Sequence, residues 1–367
     1  MDLTKLTDKE LLSLEKRTSY EVAKYKNFQN AKKIQLNSAY GSIGNQFFRF
    51  YSLPLAESVT KNGQLVIQWI EKAINVYLNK ICKTEGKDYI IAGDTDSLVL
   101  ALGDIVSQFP KDTPIPKIVK ALDKFSNENI RPEIDKATKR LAEYTNAFVN
   151  RMNMKRECIA DKGIWTRKKR YILNVYDAEG VYHQEPELKI MGLEAVRSST
   201  PQVIREKMKA CIKLVMQNTE ADVQKFIKEG KEIFRQLPPE DVAFPKTCNG
   251  LDKYSSPISI YIKGAPFHVK GALIYNNLLK QKKLDKVYRT IKEGDKGKTL
   301  YLIEPNPLHV PAIGFIDLLP VEFGIHAYVD FDKQYQKTFV DPMEKLLTVI
   351  GWSVEERFTF DEFFGDQ

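Results

Sequence analysis

Apolar residues recur at helical spacing in four stretches of the chain. The first runs from Leu3 to Tyr40, and a capping box of Thr7 and Glu10 marks the start of a helix. Its other positions are mostly charged or polar, which predicts a long helix that projects from the body of the protein. The apolar positions of this helix are Leu11, Leu14, Val22, Tyr25, Phe28 and Leu36.

The other three stretches predict helices with an apolar face that packs on a core. The second has its apolar positions at Leu65, Ile67, Ile70, Ile74, Leu78 and Ile81. This helix is expected to pack behind a sheet. A third begins near Pro132, a residue that suits a first helical turn, and continues to Arg151 with Phe148 on its apolar face. The fourth begins at Thr200 and ends before Pro238–Pro239.

Two apolar runs within Ile90–Leu100 flank a polar turn, a pattern typical of a β-hairpin with a loop slightly longer than two residues. Asp94 and Asp96 lie at its tip. Two carboxylates one residue apart can bind Mg²⁺, because this ion takes few protein ligands and completes its coordination with water and phosphate oxygens. A solvated turn without metal is the alternative, since Asp is a common turn residue.

Three polar side chains share one face at the end of the first helix. Lys33, Asn37 and Tyr40 are spaced i, i+4 and i+7. The ammonium could meet a triphosphate and the tyrosine ring could lie beside a base, so the face could bind a nucleotide. Gly41 follows, where a helix could end or a backbone could approach closely.

A basic segment lies in a stretch whose alternation predicts strands and a hairpin, R-E-C-I-A-D-K-G-I-W-T-R-K-K-R-Y-I-L-N-V-Y-D. Its centre is Arg167, Lys168, Lys169, Arg170 and Tyr171. Cations on a rigid strand can neutralise phosphates, and an adjacent ring can pack on a sugar or base. A solvated charged face is the alternative for such a run.

Composition and charge argue against a disulfide-rich, zinc-binding or membrane-spanning protein and for a polyanionic partner. The 367 residues suffice for two or three domains, and four widely separated cysteines suggest neither a disulfide framework nor a zinc site. No apolar run approaches the length of a membrane span and the amino terminus is polar, so we expect an intracellular protein. From Tyr301 onward there are twelve Asp and Glu against four Lys and Arg, a net charge of −8. The first 300 residues therefore carry a net charge of +16, which predicts a polyanionic partner for them.

Five motifs in order resemble the family B DNA polymerases, in particular the T-even-type bacteriophage branch. They are N-S-A-Y-G at Asn37–Gly41, D-T-D-S at Asp94–Ser97, R-K-K-R-Y-I-L-N-V-Y-D at Arg167–Asp177, L-K-I-M-G-L-E at Leu188–Glu194 and S-S-T-P at Ser198–Pro201. The resemblance covers nearly the whole chain. It implies an α+β fold, in which a palm with an antiparallel sheet and a catalytic hairpin is backed by helices.

The same resemblance implies a division of the chain. Residues 1–40 would be the second helix of the fingers, 41–190 the palm, 191–350 a mostly helical thumb, and 351–367 a tail that binds a sliding clamp. In the acidic tail, the implied anchors are Phe360, Phe363 and Phe364, although Glu362 stands where an apolar residue is more usual.

The resemblance also assigns roles in two-metal nucleotidyl transfer, which adds dNTPs to a primer end. Asp96 and Asp94 would be the catalytic and metal-binding residues for two Mg²⁺ ions, with Asp96 bridging them and Glu157 a weaker candidate. Lys33 would neutralise the triphosphate, Asn37 would support the site, and Tyr40 would pack under the new base pair. The implied DNA-binding residues are Lys168, Lys169, Arg170, Tyr171, Lys189 and Gly192.

One element of the family pattern does not occur in this sequence. The family's other metal-binding aspartate lies in a D-x-x-S-L-Y-P motif upstream of the fingers, and nothing before Lys33 resembles it. We therefore expect the chain alone to be nearly inactive. A partner chain would supply this aspartate and the proofreading exonuclease. Because Met1 is followed directly by a capped helix, a naturally divided polymerase is favoured over a fragment, acting in the cytoplasm of an infected bacterial host.

Two other functions stay open. A nucleotide-sugar glycosyltransferase also uses a D-x-D turn, which explains Asp94 and Asp96 but not the basic strand. A non-catalytic subunit that binds DNA and tethers a clamp would explain the basic strand and the tail, with the aspartates as relics.

Overall fold

The computed structural model describes residues 6–355 of the chain and confirms the predicted α+β class. The chain forms two compact units. The first takes in the described residues up to Pro114 together with Lys124–Lys155, and the second takes in Ile115–Asp123 and the described residues from Arg156 onward. The predicted division at residues 40, 190 and 350 stays a prediction.

The first unit combines long helices with a two-stranded antiparallel sheet. Its elements up to Pro114 are α1 (Asp8–Ile43), α2 (Leu53–Cys82), β1 (Ile90–Asp94), β2 (Ser97–Leu100) and α3 (Gly103–Val106). Helix α4 (Ile115–Phe125) belongs to the second unit up to Asp123. A π-helical segment, Ser126–Ile130, and α5 (Arg131–Tyr144) then belong to the first.

Helix α1 begins as the capping pattern predicts but ends later than expected. The Glu10 carboxylate accepts hydrogen bonds from the backbone N–H of Thr7 at 2.9 Å and from its hydroxyl at 2.7 Å, and these bonds lower the pKa of Glu10. The helix continues through Gly41 to Ile43, so the predicted end at Tyr40 is wrong. A glycine inside a helix costs only about 1 kcal/mol, which the residues around it can offset. Within α1 no residue is buried.

Helix α2 packs behind the hairpin, as predicted. Its first turn is capped by the Ser52 hydroxyl, which accepts a hydrogen bond from Leu55 N–H at 3.4 Å. The core of this unit consists of Ile70, Ile74, Leu78, Tyr89, Ile130 and Ile134, with β1 and β2 contributing the half-buried Ile90, Leu98 and Leu100. The hairpin is therefore held from one side by α2 and α5.

The predicted helix from Pro132 ends seven residues early. Helix α5 stops at Tyr144, and Asn146 has a φ of 51°, in the left-handed region. Phe148, predicted on the apolar face, is fully exposed. Helical spacing alone could not reveal this end, because Asn146 adopts the left-handed conformation at little cost and so terminates the pattern.

Charged residues recur along both long helices of the first unit. In α2, for example, Glu57 pairs with Lys61 at 3.3 Å on the exposed side.

Among residues 6–355, no helix is long and apolar enough to cross a membrane.

The second unit contains two three-stranded antiparallel sheets and most of the remaining helices. Its first sheet has the order β3 (Cys158–Arg167), β4 (Arg170–Ala178), β5 (Val181–Met191). The elements that follow are α6 (Gln202–Gln217), α7 (Glu220–Arg235), α8 (Pro239–Val242), β6 (Phe244–Thr247), α9 (Leu251–Tyr254), β7 (Ser255–Ser256), β8 (Ile260–Tyr261), α10 (Phe267–Gln281), β9 (Lys296–Tyr301), β10 (Ala312–Phe315), α11 (Phe331–Tyr335) and α12 (Asp341–Leu347). The helical pattern predicted from Thr200 to Pro238 forms two helices, α6 and α7. They are divided at the cap Thr219, whose hydroxyl accepts a hydrogen bond from Asp222 N–H at 3.4 Å.

One extended apolar core stabilises the second unit. Ile164 and Ile172 contribute one face of the β3–β4–β5 sheet to it, and α6 contributes Ile204, Met208 and Cys211. On the opposite face, the side chains near the β3–β4 turn are in part exposed, which leaves them available to a ligand.

A buried guanidinium ties α4 to this sheet. Arg156 is 11% exposed and contacts Asp123 of α4 at 2.7 Å, and it also pairs with Asp177 of β4 at 2.5 Å. Asp177 is 7% exposed and accepts a further hydrogen bond from Gly180 N–H at 2.9 Å. Because each carboxylate compensates the buried cation, the three side chains depend on one another.

Candidate functional site

The hairpin tip presents the two predicted carboxylates on a turn tighter than expected. Asp94 pairs with Ser97, so only Thr95 and Asp96 form the loop, and the predicted longer loop is wrong. Thr95 has a φ of 51°, a strained conformation for a β-branched residue. Hydrogen bonds compensate locally. Asp96 N–H donates to the Asp94 carbonyl at 2.5 Å, and the Thr95 hydroxyl donates to Asp94 Oδ1 at 3.0 Å.

A polar network anchors the base of this hairpin to α2. Asn75 of α2 accepts a hydrogen bond from Tyr89 N–H at 2.8 Å and donates one to Asp88 at 2.9 Å. The buried Tyr89 hydroxyl donates to Asp104 at 2.9 Å, and burial raises the pKa of Tyr89 to about 12. Asp104 also pairs with Lys87 at 2.6 Å. These contacts anchor the base of the hairpin below its exposed tip.

The tip can contribute two oxygen ligands to a divalent cation. Asp96 is exposed and Asp94 is half-buried, and both belong to one four-residue turn. Over residues 6–355, however, no three His, Cys, Asp or Glu side chains come together as a metal site. Two carboxylates suit a Mg²⁺ ion that keeps water and phosphate oxygens as its other ligands. Holding two ions about 4 Å apart needs a further carboxylate.

The predicted nucleotide-binding residues lie on α1. Lys33, Asn37 and Tyr40 are all within this helix and all are exposed, so their predicted common face is present. The Tyr40 hydroxyl donates to the Ala56 carbonyl of α2 at 3.5 Å, which orients the ring. The core that packs the hairpin contains no residue of α1. The structure therefore places Lys33, Asn37 and Tyr40 together on α1, and Asp94 and Asp96 together on the hairpin.

The basic segment forms a second tight turn, between β3 and β4. Arg167 pairs with Arg170, so Lys168 and Lys169 form the loop, and both are exposed. Lys169 has a φ of 61°. The hairpin predicted in this stretch is confirmed, with four cationic residues at or beside its turn.

Gly192 supports this turn from the end of β5. A Cβ atom at Gly192 would lie 2.2 Å from the Lys169 carbonyl oxygen, and the φ of Gly192 is 68°. Arg197 donates a hydrogen bond to the Gly192 carbonyl at 2.9 Å. Glu194 lies 3.7 Å from both Arg170 and Arg197. The predicted DNA contact of Gly192 stays a prediction, and the structure gives this glycine a backbone role in the Lys169 turn.

Lys189 of β5 is already paired in the protein. Its ammonium lies 2.5 Å from the Glu157 carboxylate, with the lysine 28% and the glutamate 60% exposed. Burial alone would lower the pKa of Lys189, but the hydrogen bond to Glu157 raises it above its ordinary value. Lys189 therefore stays charged, and a phosphate would have to compete with Glu157 for it.

We expect Gly192→Ala to destabilise the protein and displace the Lys168–Lys169 turn. The added methyl group cannot fit 2.2 Å from a backbone oxygen, so the loss should reach about 2–4 kcal/mol in chemical denaturation. Gly86→Ala is the matched control, because Gly86 has a nearly equal φ of 65° but open space around its Cβ position. Equal losses for the two variants would contradict the close contact.

The predicted clamp anchors Phe360, Phe363 and Phe364 lie outside the described residues. Their assignment therefore stays a prediction.

Alignments with known proteins cover most of this chain. The sequence model described as DNA polymerase family B matches residues 6–115, which include α1 and the D-T-D-S hairpin. The chain is 35% identical over 348 residues to the DNA-directed DNA polymerase of Enterobacteria phage T4, and 35% identical over 349 residues to that of Escherichia phage RB69. It is 27% identical over 272 residues to DNA polymerase 1 of Aeropyrum pernix.

These alignments cover a large share of this chain but a small share of each relative. For each phage relative they include 91% of this chain and 38% of the relative, and for the Aeropyrum pernix protein 72% and 22%. The chain therefore spans less than two fifths of the length of the phage relatives it matches.

Proposed function

Because this chain belongs to the family B DNA polymerases, on their T-even-type bacteriophage branch, we propose that it is the carboxyl-terminal part of a DNA-directed DNA polymerase. The proposed reaction is nucleotidyl transfer from a dNTP to a primer 3′ end. The part of the relatives that this chain does not span would supply the rest of the enzyme.

The hairpin tip is the observation that carries this proposal. Asp94 and Asp96 stand on a strained two-residue turn whose base is fixed to α2, within the stretch that the family model matches. Two carboxylates on one turn suit a reaction in which a bound Mg²⁺ ion would neutralise the charge that develops on phosphate oxygens. The polymerase relatives support neither the glycosyltransferase nor the non-catalytic alternative.

We propose that Asp96 is the principal ligand and Asp94 the secondary ligand of Mg²⁺. The ions would lower the pKa of the primer hydroxyl and neutralise the triphosphate when bound. The residues present suit part of a two-ion site, because the described chain adds no third carboxylate to this pair. The missing ligand is expected from the partner.

The face of α1 is proposed to bind the incoming nucleotide. Lys33 would neutralise the triphosphate as a point charge, and Asn37 would support the site. Tyr40, whose hydroxyl is held by Ala56, would present its ring to the new base pair.

The β3–β4 turn and the end of β5 are proposed to contact primer–template DNA. The exposed Lys168 and Lys169 and the adjacent Arg170 would neutralise backbone phosphates, which gives affinity without sequence preference. Tyr171 would pack against the primer end. Lys189 would join them once a phosphate displaces Glu157, and Gly192 would hold the turn in place.

The remaining partners complete the proposal. A second polypeptide would bring the D-x-x-S-L-Y-P aspartate and the exonuclease, and the tail with Phe360, Phe363 and Phe364 would bind a sliding clamp. The phage relatives support action on DNA in the cytoplasm of an infected bacterium.

Reconstitution tests the proposed function. The purified chain is mixed with a polypeptide from the same source that carries D-x-x-S-L-Y-P, and extension of a labelled primer is followed with Mg²⁺ and all four dNTPs. We expect template-directed synthesis from the mixture and almost none from either chain alone. Rapid extension by this chain alone would contradict the need for a partner. A mixture no more active than its components would contradict the proposed function.

A further inference from the structure

The face of the β3–β4–β5 sheet opposite the Ile164–Ile172 core carries an aromatic pair, of which the sequence indicated only Tyr171. Trp165 of β3 is directly opposite Tyr171 of β4, and Tyr171 is opposite Met191 of β5. Directly opposed residues of an antiparallel sheet project to the same face. The neighbouring pair Ile164 and Ile172 belongs to the buried core, so Trp165 and Tyr171 lie on the opposite face of the sheet, at its end near the β3–β4 turn.

The two rings pack on each other. Their centroids are 6.2 Å apart and their planes are inclined by 31°. Both side chains are half-buried, and neither belongs to the apolar core of this unit. One ring therefore limits the orientations open to the other, because aromatic pairs favour a small set of geometries.

A glycine beneath the indole fixes its height above the sheet. A Cβ atom at Gly163 would lie 2.6 Å from two carbon atoms of the Trp165 ring and 2.8 Å from Leu173 Cδ2. The indole thus lies across the bare backbone of Gly163. Any side chain at this position would lift the ring and move the tyrosine that packs on it.

Cationic residues lie on strands and a turn next to this pair, although Lys189 is itself paired with Glu157. Lys189 of β5 is opposite Leu173, the residue two positions after Tyr171 on the same face. The Lys168–Lys169 turn comes just before Tyr171 in the chain. An aromatic ring with cationic residues nearby on one sheet favours nucleic acid, since the cations can contact phosphates and the ring can contact a sugar or base.

We propose that Trp165, seated on Gly163, is a positioning residue that sets the plane of the Tyr171 ring for its contact with the primer end. This inference rests on the proposed function, because it presupposes that Tyr171 contacts DNA. Trp165 acts through Tyr171, and its loss leaves the number of phosphate contacts unchanged.

Three variants of the full chain test the proposal by primer–template affinity, measured by fluorescence anisotropy. Trp165→Leu removes the ring and should weaken binding between about two- and tenfold, the range that an aromatic pair is worth. Trp165→Phe keeps a ring and should bind within about twofold of the wild type. Gly163→Ala keeps both rings but lifts the indole, so it should weaken binding as Trp165→Leu does.

Trp69→Leu is the matched control. Trp69 stacks on Tyr144 in the first unit at a centroid distance of 5.8 Å and an angle of 27°, and neither residue is proposed to contact DNA. We expect its DNA affinity to equal that of the wild type. An equal loss from Trp69→Leu and Trp165→Leu would show a general effect on folding and would overturn the proposal.

A double-mutant cycle separates positioning from a purely structural role. In the Tyr171→Ala background, Trp165→Leu should cause no further loss of affinity, because its target ring is gone. Independent, additive losses would overturn the proposal, as would unchanged binding by Trp165→Leu. If Trp165→Leu does not fold, Gly163→Ala and Trp165→Phe give the same comparison. A wild-type chain that binds no primer–template DNA would instead overturn the proposed function.

Discussion

Replacing Asp96 with Asn should slow the proposed primer extension by the reconstituted two-chain mixture at least about a thousandfold, which corresponds to about 4 kcal/mol of lost transition-state stabilisation. The carboxylate is the exposed member of the hairpin pair, and an amide of the same shape cannot supply its charge. Single-nucleotide extension measured at saturating dNTP and DNA reports this loss directly.

Affinity for primer–template DNA separates this effect from a general defect. Asp96 lies at the tip and away from the core, so Asp96→Asn should bind DNA and its partner as the wild type does. Asp94→Asn should slow the reaction less, because Asp94 is proposed as the secondary ligand and the amide oxygen of Asn can still accept the hydrogen bond from the Thr95 hydroxyl. Asp112→Asn, at another exposed position of the same unit, is the control. Extension by Asp96→Asn within tenfold of the wild type would refute its proposed role as the principal metal ligand.

Arg156→Ala should lower the free energy of unfolding by about 3–5 kcal/mol in urea or thermal unfolding, a larger loss than we expect from Gly192→Ala. Removal of the guanidinium leaves the Asp177 carboxylate, 7% exposed, without its ion-pair partner, and it also releases Asp123 of α4. The desolvation cost of the carboxylate then has no compensation.

An exposed pair of similar geometry provides the control. Arg235 contacts Asp332 at 2.7 Å, yet the two side chains are 42% and 49% exposed. Arg235→Ala should cost only a small fraction of the Arg156→Ala loss, because water replaces the lost partner. The double variant Arg156→Met/Asp177→Asn should be more stable than Arg156→Ala. Similar losses at Arg156 and Arg235 would show that burial does not set the energy.

Local pattern predicted the elements that carry the site. The helical period of Ile70, Ile74 and Leu78 and the turn between two apolar runs at Asp94–Ser97 were sufficient to place a hairpin in front of a helix. Such patterns are informative because one face of each element must be buried. The roles of the motif residues on α1 and on β4 came instead from the resemblance of these motifs to the family B DNA polymerases.

The contacts that tune the site depended on residues distant in sequence. No local pattern indicated that Glu157 would pair with Lys189, or that Trp165 would rest on Gly163 beside Tyr171. The tightness of the hairpin loop was missed because Thr is unusual in the left-handed conformation that Thr95 adopts. At this turn the pairing of Asp94 with Ser97 imposes a left-handed backbone conformation on Thr95, which a β-branched residue ordinarily avoids.

What this sequence determined by itself is therefore the approximate position of α1, α2 and the two hairpins, which follows from local periodicity, and the ordered motifs that resemble the family B DNA polymerases. The tertiary structure alone decided which charges are buried together, as at Arg156, and which backbone must come close, as at Gly192. These features depend on strand register and packing between elements far apart in the chain, and neither is encoded in any one local stretch.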